Sequence, residues 1–155
     1  MRRNRVFAKI FYMTKDNLKI RSTEFRVKIL ETHLDFFGHV NNAVYLQLFE
    51  EARWEAITER GFGVDTIRRL QQGPVILSVE LKFLKELRLR EEIVIQTDFL
   101  AYEGKVGRLL QKMINAKGEV ACEAVFVFGL FDLQARKLLE PTREWRKACG
   151  FDVVS

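Results

Sequence analysis

The sequence predicts an α+β fold in which one long helix lies against a curved, mainly antiparallel sheet of about five strands. Three observations carry this. Residues 43–60 repeat apolar side chains at helical spacing: Tyr45, Leu48, Phe49, Ala52 and Ala56. Four strand-like runs follow, at 75–84, 91–102, 106–115 and 120–131, joined by short turn sequences. The helix precedes these strands rather than alternating with them, which segregates it to one face of the sheet.

Each element has a local reason. Phe25, Val27 and Ile29 alternate with Arg26 and Lys28, which marks 24–30 as a half-buried first strand. For the helix, Asn41 or Asn42 supplies an N-cap and Gly61 a C-terminal stop. Five turns span roughly 27 Å at about 1.5 Å per residue. Val44, Leu46 and Trp54 widen its apolar surface beyond one stripe, so the sheet must wrap around it. Residues 62–73 read as a connection with a short helical turn, and Pro74 introduces the strand at 75–84, where Leu77, Val79, Leu81 and Phe83 alternate with Ser78, Glu80 and Lys82. Glu103-Gly104-Lys105 and Lys117-Gly118 are tight turns. The run 120–131 is almost continuously apolar, as a central strand covered on both faces requires. Residues 141–148 fit a terminal helical turn. Residues 1–22 form an N-terminal extension, either a short strand or a basic apolar arm, and 23–155 form a single domain.

Composition narrows the function classes. A chain of 155 residues that is 48% hydrophobic and 30% charged is globular, not disordered. Thirteen Phe and two Pro suit extended, heavily packed structure. The net charge of +5 admits an anionic partner. Acids are interspersed with the bases along most of the chain, however, and no nucleic-acid-binding motif is present, which argues against nucleic acid. Cys122 and Cys149 have no metal-type spacing; Cys122 in its apolar run reads as a buried reduced thiol, which favours a reducing cytoplasm. No run is long enough to cross a bilayer, and the basic start lacks a cleavage site, so the chain reads as soluble and unprocessed.

The chemistry concentrates in Leu34-Asp35-Phe36-Phe37-Gly38-His39-Val40-Asn41-Asn42, directly before the helix. A helix start exposes unpaired N–H groups and partial positive charge, which polarise oxygen atoms. A carboxylate held beside it can act as base or nucleophile on a carbonyl. The plainer alternative is that Asp35 caps a turn and the asparagines cap the helix.

The pattern Asp35-x-x-Gly38-His39-Val40-Asn41-Asn42-x-x-Tyr45, followed by Phe49-Glu50-x-Ala52-Arg53, resembles the hotdog-fold thioesterases of the 4-hydroxybenzoyl-CoA and YbgC-like acyl-CoA group. The likeness covers roughly Phe25 to Phe131. It implies a hotdog fold and hydrolysis of acyl-CoA to a carboxylic acid and free coenzyme A. Neither metal nor cofactor is implied, coenzyme A being part of the substrate. By this resemblance Asp35 is the catalytic base or nucleophile, Gly38 permits the turn, and the Asn42 backbone N–H points at the thioester carbonyl. His39 is a further candidate, as proton shuttle or as a structural hydrogen-bonding partner. Asn41 and Tyr45 are candidate substrate-binding positions. Glu50 and Arg53 read as structural polar residues, Glu50 also as a candidate for holding water.

One departure stands out. Many relatives carry a second acid two residues before the catalytic one, where this chain has His33. The acyl-carrier-protein branch of the fold shares the His-Val-Asn-Asn signature, so an acyl-carrier-protein thioesterase is the alternative, and a non-catalytic acyl-CoA binder a third reading. Lys105 lies in the turn where relatives place phosphate-binding basic residues. Arg108 and Lys112 share a face of the next strand; a solvated surface is the alternative for all three. The family builds its active site at a subunit interface, which implies a homodimer or tetramer. The N-terminal arm is a lesser candidate for membrane contact.

Overall fold

The computed structural model describes residues 22–151. The expected strand or arm before residue 22 and the last four residues lie outside them. In chain order the elements are β1 (Thr23–Lys28), a 3-10 turn (Glu31–His33), α1 (Asn42–Glu59), α2 (Val64–Leu70), β2 (Gln72–Phe83), β3 (Glu92–Glu103), β4 (Val106–Ile114), β5 (Val120–Asp132), β6 (Lys137–Leu139) and α3 (Arg143–Ala148). The strands form one antiparallel sheet in the order β1-β3-β4-β5-β2, with β6 paired to the end of β5. This is the hotdog arrangement: a central helix with a sheet around it.

Period two explains how the sheet holds the helix. Ile95, Thr97 and Phe99 of β3, Leu109, Gln111 and Met113 of β4, and Ala124, Phe126 and Phe128 of β5 are buried on the inner face. From α1 they receive Tyr45, Leu48, Phe49, Ala52, Ala56 and Ile57. Phe49 meets Phe126 edge-on at 6.0 Å between ring centres. One buried polar network ties helix to sheet: Gln111 Nε2 donates to Phe49 O at 3.0 Å and Thr97 Oγ1 at 2.9 Å, and Gln111 Oε1 accepts from Arg53 Nη1 at 2.9 Å. Burial pushes Arg53 down to about 10, with Glu50 opposing the shift. The guanidinium lies 4.3 Å above the Phe126 ring. Arg53 therefore has the structural role expected of it.

Several boundaries differ from the sequence reading. The connection at 62–73 holds a full helix, α2, and β2 already starts at Gln72, so Pro74 lies inside a strand instead of before it. Proline is tolerated there because β2 is an edge strand. β6 went unpredicted; three residues carry too little periodicity, although Asp132 marks the turn before it by accepting from the Gln134 and Ala135 amides. β5 is an interior strand, as its apolar run required.

The edge position of β2 changes what its apolar residues do. Ile76, Leu77, Val79 and Phe83 are exposed, as are Leu46 and Trp54 of α1, of which Trp54 shares a cavity lining with Ile76. The free side of β2 has no strand partner among the described residues. Phe99, Phe126 and Phe128, by contrast, are buried in the core, where Phe99 and Phe128 also border a small cavity beside Trp54 and Ile76. Cys122 and Cys149 are free and buried, and burial raises both thiols, Cys122 to about 12. No helix among the described residues is long and apolar enough to cross a membrane.

Candidate active site

Residues 34–40 fold back on themselves. Leu34 and Val40 form an isolated antiparallel bridge, Asp35 N donates to His39 O at 2.8 Å, and Gly38 N donates to Asp35 O at 3.1 Å. The turn needs Gly38, whose φ is +80°, a region costly for any residue with a Cβ. Asp35 Oδ1 accepts from the Phe37 amide at 2.8 Å and the His39 amide at 3.4 Å. The turn-capping role is thus real. It engages one oxygen and leaves Oδ2 without a partner among the described residues. Phe36 and Phe37 project from the tip, 99% and 80% exposed.

The loop delivers the chain to α1. Asn41 is the N-cap, its side chain accepting from Ala43 N at 2.9 Å, while its own amide donates to His33 O at 2.9 Å. Asn42 is the first helical residue. Its amide donates to no group among the described residues, as one of the orphan donors of a helix start.

A groove of about 380 Å³ gathers Asp35, His39, Val40, Asn42 and Tyr45 against Phe83, Leu84, Lys85 and Glu86. Tyr45 forms its floor, buried and edge-on to Phe83 at 5.0 Å. Burial raises its hydroxyl to about 12, so it stays protonated. His39 Nε2 lies 3.1 Å from Glu86 Oε2. Lys85 and Glu86 come from the β2–β3 connection, pinned by Val40 N to Leu87 O at 3.1 Å and by Leu84 N and Lys85 N to Ala121 O at 2.8 and 2.9 Å. Their place in the groove was missed by sequence reasoning, because no periodic pattern relates this connection to residue 39.

The structure thus brings together Asp35, His39, Asn42 and Tyr45, with Gly38 and Asn41 shaping the loop and helix start. It does not bring Lys105, Arg108 or Lys112 to this groove within one chain. Lys105 sits at the β3–β4 turn, its carbonyl close to Gly129, while the groove lies at the Phe83 end of β2, opposite Cys122. Arg108 pairs with Ala101 and Val127, and Lys112 with Gln96 and Glu123, on the outer face of the sheet. Glu50 lines a separate cavity of about 70 Å³ with Arg53, Trp54 and Ile76. His33 is also structural: its Nδ1 accepts from Leu30 N at 3.1 Å, closing the 3-10 turn. Among the described residues no cluster of three His, Cys, Asp or Glu is placed to hold a metal.

Residues 29–149 match the sequence profile of the thioesterase-like superfamily. The chain belongs to that superfamily. As a thioesterase-like protein it is a thioester hydrolase. The long-chain acyl-CoA thioesterase FadM of Escherichia coli K12 is 28% identical over 123 residues, covering 79% of this chain and 92% of FadM. The crystal structure of YbaW, a probable thioesterase from Escherichia coli, aligns with a TM-score of 0.73 at 26% identity, over 82% of this chain and 96% of that one. A chloroplastic acyl-acyl carrier protein thioesterase of Arabidopsis thaliana is 33% identical over 73 residues, 47% of this thioesterase-like chain and 38% of the plant protein.

Proposed function

We propose that the protein hydrolyses acyl-CoA thioesters, with Asp35 as base or nucleophile and the first amide of α1 polarising the carbonyl. The observation that carries this is that Asn42, whose amide is unpaired among the described residues at the start of α1, lines the same groove as Asp35. A carbonyl oxygen placed at that amide gains negative charge in the transition state, and the helix start stabilises it. Asp35 then takes a proton from water, or adds to the carbonyl itself. The extent of the likeness to FadM supports coenzyme A as the carrier.

The reading includes a homodimer. A free edge of 12 residues with exposed Ile76, Leu77, Val79 and Phe83 invites pairing with another strand. Antiparallel pairing of β2 with β2 of a second copy about its middle lays the Phe83 end of one against the Gly73 end of the other. Gly73 pairs with Phe131 and Val75 with Gly129, beside Lys105. The second copy thereby carries Lys105 towards the groove, where its charge suits the phosphates of coenzyme A. Arg108, on the outer face, is a weaker candidate for the same role.

Thiol release measured in parallel on acyl-CoA and acyl-carrier-protein substrates tests the function. Preferential release from acyl-CoA is the expected result. Preference for the carrier protein supports the alternative carrier, and ligand binding without thiol release overturns the enzymatic reading.

A further inference from the structure

We propose that Glu86 is a positioning residue that holds His39 to protonate the departing thiol, and that it supplies the second groove carboxylate this chain lacks at position 33. The proposal rests on the reading of the Asp35 groove as the active site. Position 33 holds a histidine whose ring is occupied by the Leu30 amide, so no acid reaches the groove from there. The structure brings one in from the β2–β3 connection. Glu86 lines the groove, and its Oε2 lies 3.1 Å from His39 Nε2. Arg88 Nη2 flanks the same oxygen at 3.7 Å, and the backbones of His39 and Arg88 form an antiparallel bridge. Both ends of the pair are therefore tied to one scaffold, in addition to the Val40–Leu87 hydrogen bond.

The contact singles out one ring nitrogen. Glu86 Oε2 sits against His39 Nε2, and among the described residues Nδ1 has no partner. The His39 amide donates to the Asp35 carboxylate, which holds imidazole and base on one turn. A carboxylate that engages one ring nitrogen fixes both the ring orientation and the nitrogen that can exchange a proton with a ligand.

The step balances as follows. Water oxygen bonds to the thioester carbon as Asp35 takes one water proton, and the carbonyl electron pair moves onto oxygen beside the Asn42 amide. On collapse that pair re-forms the carbonyl and the carbon–sulfur bond breaks with its electrons going to sulfur. The imidazolium of His39 gives the sulfur its Nδ1 proton. The proton left on Asp35 returns to His39 through solvent, so water and thioester become carboxylic acid and thiol. If Asp35 is instead the nucleophile, its oxygen bonds to the thioester carbon and the same leaving-group step breaks the carbon–sulfur bond. Water then adds to the acyl carbon of the anhydride, the bond to Asp35 breaks, and the proton that water gives up returns to His39 through solvent.

The test uses the full chain and two thioesters of one acyl group: the coenzyme A thioester, and an aryl thioester whose thiolate leaves without a proton. Glu86→Gln is expected to lower kcat about tenfold on acyl-CoA, below the full range of acid–base catalysis because His39 remains. KM should stay within about twofold, and kcat on the aryl thioester should hardly change. His39→Gln should give the same pattern, and the double variant should be no slower than His39→Gln alone. Equal losses on both thioesters, an effect on KM alone, no effect, or additive losses would each overturn the proposal. Asp35→Asn separates this from the reading beneath it. It should lose activity on both thioesters, and if it does not, the Asp35 reading fails whatever Glu86 does.

Discussion

Asp35 engages one carboxylate oxygen with the amides of Phe37 and His39, leaves the other without a partner among the described residues, and lines the groove. Turn cap and candidate base are thus compatible roles of a single side chain, and the sequence reading had set them as alternatives. The ambiguity over the helix cap resolves to Asn41, whose side chain reaches Ala43 N and leaves Asn42 as the first orphan donor. Replacing Asn41 by Ala should cost about 1 kcal/mol, read as a lower denaturation midpoint, with a parallel fall in thiol release as the helix start loosens. An unchanged midpoint would separate the cap from stability. Asp35, His39, Asn42 and Tyr45 were legible because they share one short motif. Glu86 and Lys85 were not, since their place in the groove depends on how a distant connection crosses the loop.

Among the elements, the central helix and the strands were legible to within one or two residues, save the start of β2, which comes three residues earlier than expected, because burial of one face imposes its period on the sequence. The edge was not. Val79 and Phe83 of β2 alternate just as interior strands do, and only the pairing order reveals that they stay exposed. A small residue marks the tightest approach in the sheet. A Cβ at Gly107 would meet Phe128 Cζ at 2.4 Å, and that ring is fixed by Phe99, Tyr102 and Trp145. Trp145 is itself held by Nε1 donating to the Tyr102 hydroxyl at 3.0 Å. Gly107→Ala should therefore destabilise the fold by about 1–3 kcal/mol in denaturant unfolding. Wild-type stability would mean that the ring moves freely.

At the scale of the whole molecule, the exposed edge and the groove belong to one problem. The exposed apolar residues of β2 run from Ile76, beside Trp54, to Phe83 in the groove wall. In the proposed dimer a second copy covers that edge and brings Lys105 across from the far end of the sheet. Val79→Lys should then convert a dimer to monomers in light scattering and reduce thiol release with them. A wild-type monomer would remove the second copy from the account.

The central claim is that the Asp35 carboxylate drives the chemistry of this groove. The most direct measurement is thiol release from acyl-CoA by Asp35→Ala, alongside circular dichroism and light scattering. The account predicts a loss of about 10²–10⁴-fold in kcat, with fold and assembly retained. A correctly folded Asp35→Ala protein that releases thiol at the wild-type rate would contradict it.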